Sequence, residues 1–161
     1  MNPAPQPDPA IPSPLDQCRR AALGLLSRAE PRRLVALLDG FLPDPPVVTL
    51  LRTPEIGAVM VRGRQGASGA PFNLGEMTVT RCSLRLACGA VGHGYVQGRD
   101  KSHARRVALA DALMQTPQAD ALRAAVLVPL EAAERARKAA RAARAAATRV
   151  EFFTMVRGED Q

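Results

Sequence analysis

The stretch Val96-Gln97-Gly98-Arg99-Asp100-Lys101-Ser102-His103-Ala104 gathers a glycine, two fixed cations, an aspartate and a histidine where a strand pattern hands over to a helical one. Such a turn presents backbone N–H groups at the positive end of a helix dipole, where an anion is stabilised. Arg99 and Lys101 add charge beside those groups. Asp100 is a helix-capping residue type. His103, one of 2 histidines in the chain, falls on the first helical turn. Gly98, Arg99, Lys101 and His103 are therefore the leading anion-binding candidates, and His103 is the one candidate for a catalytic role.

Other residue patterns are weaker. Gly66 to Gly75 is a glycine-rich loop whose N–H groups could cradle phosphate. It lacks the Lys-Ser/Thr ending of a P-loop and leads into a strand pattern, so an ordinary hairpin loop explains it as well. Arg62 and Arg64 on one predicted strand, with Arg81 and Arg85 on the next, would form a cationic face if the strands are neighbours. A solvated sheet face is the plain alternative. Of these, Arg62, Arg64 and Arg81 join the anion-binding candidates. His93 and His103 lack further ligands at zinc spacing, so no metal site is expected. Cys82 and Cys88 read as small core residues. No Ser-His-Asp, paired-carboxylate or nucleophilic cysteine arrangement follows from spacing.

The elements that must carry these residues follow from periodicity. Asp16 to Ala29 reads as a helix with an apolar stripe of Cys18, Ala21, Ala22, Leu25 and Leu26. Pro31 opens a second helix to about Phe41, with Leu34, Val35, Leu37 and Leu38 inward. Val47 to Arg52 and Gly57 to Arg64 read as two strands paired across a turn at Pro54-Glu55. Glu76 to Cys88 and Val91 to Gln97 follow as a third and a fourth strand. Asp100 then caps a helix to about Gln115, its buried stripe being Val107, Ala108, Leu109, Ala112 and Leu113. Ala119 to Val128 is a further helical piece. Pro129 opens a long alanine-rich helix with no Leu, Ile or Val between Leu130 and Val150. Val150 to Gly158 is an apolar, strand-like tail. The fold class expected is α+β: an antiparallel sheet of about four strands with N-terminal and C-terminal helices, ending in a helical arm and that tail. The expected division is a proline-rich leader over 1–14, a core domain over 15–128, and an arm and tail for subunit docking over 129–161.

At 161 residues the chain can bury one real core, and a hydrophobic content of 47% excludes disorder throughout. The formal charge of +7 points to an anionic partner. With no Trp and one Tyr, the chain is poor in the aromatic stacking surface of a single-strand binder, which makes a basic nucleic-acid-binding protein the least favoured reading. No run of 18 apolar residues exists, so no membrane span is expected. The leader has 6 prolines and no basic residue, unlike a secretory signal. The 3 cysteines fit a reducing cytoplasm better than a disulfide framework.

Three blocks carry a family resemblance. They are Gly66-x-x-Gly69-x-x-Phe72-Asn73-Leu74-Gly75-Glu76-x-Thr78-Val79-Thr80-Arg81, then Gly94-Tyr95-Val96-Gln97-Gly98-Arg99-Asp100-Lys101-x-His103-Ala104 with Ala108-Leu109-x-Asp111-Ala112-Leu113-Met114, and last Arg149-Val150-Glu151-Phe152-Phe153-Thr154-Met155-Val156-Arg157-Gly158. In this order they resemble the PhnG family, one of the subunits of the bacterial carbon–phosphorus lyase (C–P lyase) system. The resemblance implies a cytoplasmic member of a hetero-oligomeric core complex with the PhnH, PhnI and PhnJ subunits, acting with the ABC-type PhnL subunit in organophosphonate breakdown. It implies a part in the step that displaces adenine from ATP with methylphosphonate, giving ribose 1-methylphosphonate 5-triphosphate. Both substrates belong to the complex; no cofactor is implied for this chain alone. A complete active site in this chain is not implied either, so a structural subunit without its own ligand is the alternative. Phe72, Phe152, Phe153, Met155 and Arg157 are then candidate interface residues.

Overall fold

The computed structural model describes residues 14–148. All but the last residue of the expected leader lies outside them. So does the expected tail with Phe152, Phe153, Met155 and Arg157.

Two helices come first, α1 (Pro14–Arg28) and α2 (Pro31–Phe41). Pro31 sits in the first turn of α2, where a helix has no use for its missing N–H. α1 buries Ala22, Leu25 and Leu26, while Cys18 and Ala21 of the expected stripe face solvent. α2 buries Leu34 and Leu38 and half-buries Val35 and Leu37.

Among the described residues the sheet is antiparallel and has three strands in the order β1 (Val48–Arg64), β2 (Pro71–Leu86), β3 (Val91–Gln97). The expected four strands become three because Val47 to Arg52 and Gly57 to Arg64 do not pair with each other. They run on as one strand through Pro54. Proline is tolerated here because β1 is an edge strand and one N–H fewer leaves no partner unsatisfied. Register shifts between Leu50 and Arg52, and between Arg52 and Glu55, absorb the irregularity. The glycine-rich loop is also shorter than its composition suggests. β2 begins at Pro71, so the connection is only Gln65 to Ala70.

Thr80, Cys82, Leu84 and Leu86 form the inner face of β2. Gly92, Gly94 and Val96 form that of β3. Across them lies α3 (Lys101–Leu113). A Cβ built on Gly92 would overlap the Ala108 carbonyl oxygen, and one on Gly94 the Ala104 carbonyl oxygen. Glycine on the strand and alanine on the helix thus let the two backbones touch. Asp111, fully buried on α3, accepts hydrogen bonds from Arg19 Nε and Nη2, each at 2.8 Å. It accepts a third from the His93 amide at 2.8 Å. One carboxylate therefore joins α1, β3 and α3. That hydrogen bonding, opposed in part by burial, raises the Arg19 guanidinium above its ordinary pKa.

The last helical stretch is α4 (Ala119–Leu122), a π-helical turn at Arg123–Leu127, and α5 (Val128–Ala147). Leu122, Val126, Leu127 and Leu130 close the core from this side. Beyond Glu134 every described residue of α5 is exposed. No helix among the described residues is long and apolar enough to cross a membrane.

Candidate functional site

β3 ends at Gln97, and the backbone turns through Gly98 at φ +93°, a conformation glycine adopts without strain. The turn is pinned from both sides. The Gly98 N–H donates to the Thr78 carbonyl at 2.9 Å. The buried Thr80 hydroxyl donates to the Gly98 carbonyl at 2.7 Å. Asp100 then caps α3, its Oδ1 accepting the His103 N–H at 2.8 Å. The cap places a carboxylate at the helix start, where an external anion would otherwise sit. Asp100→Ala is expected to cost about 1 kcal/mol of stability, read as a lower thermal midpoint.

His103 points inward. It is 5% exposed, and its Nε2 lies 2.9 Å from the Leu26 carbonyl oxygen, linking α3 to α1. Arg99 and Lys101 are both exposed. Lys101 is the one of these candidates that lines a cleft. That cleft, of about 650 Å³, lies between α2, the proline-rich link to β1, the first residues of β1 and the outer side of α3. Leu38, Leu84 and Leu109 form its apolar floor, and Pro43, Pro45 and Pro46 one wall. Lys101, Ser102, Arg105 and Arg106 form the opposite rim. Arg106 Nη1 donates to the Ser102 hydroxyl, and its Nη2 lies 3.7 Å from Asp39 on α2. Three cations therefore face one carboxylate. Among the described residues neither Lys101 nor Arg105 has a carboxylate partner. Such a rim can hold an oxyanion group, with Ser102 available as a hydrogen-bond donor.

Ser102, Arg105 and Arg106 are not among the residues that the sequence singles out. A signal for them exists: Lys101 and Arg105, and Ser102 and Arg106, are spaced four residues apart on one helix. His103, Ala104, Val107 and Ala108 fill the buried face between them. Charge count alone points to Arg99, which lies outside the cleft.

The remaining arginine candidates are not brought to this rim as one cationic face. Arg62 pairs in register with Asn73 and Arg64 with Pro71, whereas Arg81 lies opposite Glu55. From Asn73 to Arg81 is eight residues of β2, about 26 Å of extended chain. Arg81 Nη2 is 2.9 Å from Glu55 Oε1, which also pairs with Arg52. Arg64 Nη1 donates to the Gly69 carbonyl at 3.1 Å. On the outer face of the sheet the Ser83 hydroxyl and His93 Nδ1 are 2.9 Å apart. The His93 contact to Asp111 is through its backbone, so these residues do not make a relay.

Cys82 lies under α3, and burial pushes its thiol pKa up against a smaller opposing effect of Arg105. It packs as a small apolar side chain, whereas Cys88, expected in the core with it, is exposed where the chain turns after β2. Among the described residues, no three of His, Cys, Asp and Glu come together to hold a metal ion.

The comparisons with known proteins agree with the family resemblance of the sequence. The family described as phosphonate metabolism protein PhnG matches residues 17–158. A relative from Rhizobium meliloti (strain 1021), described as alpha-D-ribose 1-methylphosphonate 5-triphosphate synthase subunit PhnG, is 47% identical over 146 residues. The match covers 88% of this chain and 90% of the relative. The chain belongs to the PhnG family of phosphonate metabolism proteins.

Proposed function

We propose that this chain is the PhnG subunit of the synthase that joins methylphosphonate to the ribose triphosphate of ATP with loss of adenine. It would work in the cytoplasm with PhnH, PhnI and PhnJ and the ABC-type PhnL. In this reading the cleft beside α3 receives an anionic group of the substrate or product. The observation that carries it is the rim of Lys101, Arg105 and Arg106, with two of the three cations lacking a carboxylate partner among the described residues. Triphosphate and phosphonate oxygens are the chemistry such a rim binds. His103 holds α3 against α1 in this reading, and the cations beside it do the binding.

The test is steady-state kinetics of the reconstituted synthase with ATP and methylphosphonate. A charge-assisted hydrogen bond contributes about 1.5–3 kcal/mol, and 1.4 kcal/mol is about tenfold in affinity. Lys101→Ala and Arg105→Ala are each expected to raise the KM of one substrate about tenfold, with the complex still assembled. Arg99→Ala, outside the cleft, is expected to leave KM within about twofold. An unchanged KM for both cleft variants in an intact complex would remove the cleft from substrate binding.

A second reading, that the chain serves assembly and holds no ligand, is favoured by a different observation. Large apolar side chains stand exposed on the β1–β2 hairpin, among them Met60, Phe72 and Leu74.

A further inference from the structure

Among the described residues β3 pairs only with Val79 to Arg85 of β2. The ladder between β1 and β2 continues beyond it, from Ala58 opposite Thr78 to Arg64 opposite Pro71. Beyond Thr78, whose carbonyl still accepts the Gly98 N–H, this end of the hairpin is a two-stranded ribbon with neither edge paired to a strand among the described residues. Such ribbons are marginal in water without a third strand or a packed face. Among the described residues nothing packs over the large apolar side chains of either face. Met60 on one face of β1 is 51% exposed, and Ile56, on the same face just before the ribbon, is 46% exposed. Phe72 and Leu74 flank Gly63 on the other face and are 46% and 65% exposed. Leu74 is the extra residue where the register shifts between Val61 and Arg62, a bulge that turns a side chain outward. The ribbon end also carries Arg62 and Arg64, neither with a carboxylate partner among the described residues.

We propose that the ribbon from Ala58 to Arg64 and Pro71 to Thr78 is an insertion arm that enters an apolar, carboxylate-rimmed groove on a different subunit of the assembly. The inference rests on the chain's being part of a multi-subunit synthase and is independent of whether its cleft binds substrate. Exposure on both faces calls for a groove that encloses the ribbon, since a flat surface would cover one face only. The two arginines call for an acidic rim. A second copy of this chain fits poorly. The chain carries +7, and several of its carboxylates already pair with its own cations, Glu55 with Arg52 and Arg81, Asp39 with Arg106 and Asp111 with Arg19. Two such surfaces repel at long range.

The experiment uses the full chain co-expressed with the other synthase subunits, with a photo-crosslinking amino acid in place of Phe72. The expected adduct joins the ribbon to another subunit, at a segment containing Asp or Glu. An adduct to a second copy, or to residues 150–156 of the same chain, overturns the proposal, as does the absence of any adduct in an assembled complex. In parallel, Leu74→Ser combined with Met60→Ser, and Arg62→Glu combined with Arg64→Glu, are assayed for co-purification. Both pairs lie on exposed positions, so the isolated chain is expected to keep its thermal midpoint within about 2 °C, as substitutions away from packed sites usually do. Assembly is expected to weaken at least tenfold in each, more steeply for the charge reversal at low salt. Unchanged assembly in both overturns the arm while leaving membership of the complex standing. Failure of the wild-type chain to co-purify with any partner overturns both.

Discussion

Gly94→Ala is expected to lower the stability of the chain by at least about 3 kcal/mol, the upper end of what overpacking a core costs. The added methyl group would overlap the Ala104 carbonyl oxygen and press on the Ala104 carbon and Ala108 nitrogen. All three are helix backbone, so no side-chain rotation relieves the clash. α3 must lift from β3 and give up the packing of Ala104, Val107 and Ala108, each fully buried. For a chain of this length such a loss lowers the thermal midpoint by about 6–12 °C, measured by circular dichroism on the isolated chain. Gly75→Ala is the control. An added Cβ there meets nothing within 4 Å, and its effect should stay below about 1 kcal/mol. Equal midpoints for the two variants would show that α3 and β3 are not in backbone contact.

Asp111→Ala should cost nearly as much by a different route. The buried carboxylate satisfies the Arg19 guanidinium twice and the His93 amide once. Removing it leaves the amide without its acceptor and frees Arg19 from the carboxylate that ties α1 to α3. Breaking a buried charge pair by deleting one member costs about 3–5 kcal/mol. Because Arg19 is 36% exposed on its side chain, water takes up part of that loss, and about 3 kcal/mol is expected. Asp111→Asn keeps one acceptor and should fall between the variant and the native chain. Arg19→Ala combined with Asp111→Ala should cost less than the sum of the two, which a double-mutant cycle in urea would read directly. Simple additivity would mean that the pair does not hold α1 in place.

Much of the fold is written in local pattern. α2 and β3 run where proline punctuation and alternation place them, and Asp100 caps α3 as its type suggests. Pattern misleads where a local rule meets a non-local fact. Pro54 reads as a turn because proline breaks ladders, yet an edge strand accepts it. His103 reads as a ligand because it stands near cations. Its partner is the Leu26 carbonyl, 77 residues away, which no spacing reveals. Arg19 and Asp111 are 92 residues apart and equally hidden. Gly92 and Gly94 look like a flexible patch, although a period of two in glycine facing a period of four in Ala104, Ala108 and Ala112 is a legible sign of close packing. The cleft is half visible. Lys101 stands out by charge, while Arg105 and Arg106 need the burial of the opposite helix face to show that they point the same way.

The backbone contact between α3 and β3 has a mechanical consequence. Helices resting on sheets through long side chains can roll or slide by fractions of a turn, because those side chains change rotamer. Here the closest approach is glycine on alanine, at Gly92 and Gly94, which have no rotamers to change. α3 is keyed to β3 like a tooth in a rack. Any shift of β3 along the sheet, for instance from a neighbour pressing on the exposed ring of Tyr95, would reach Lys101 and Arg105 without slack. The two cleft cations that have no carboxylate partner among the described residues therefore sit on a helix whose backbone is in direct contact with β3.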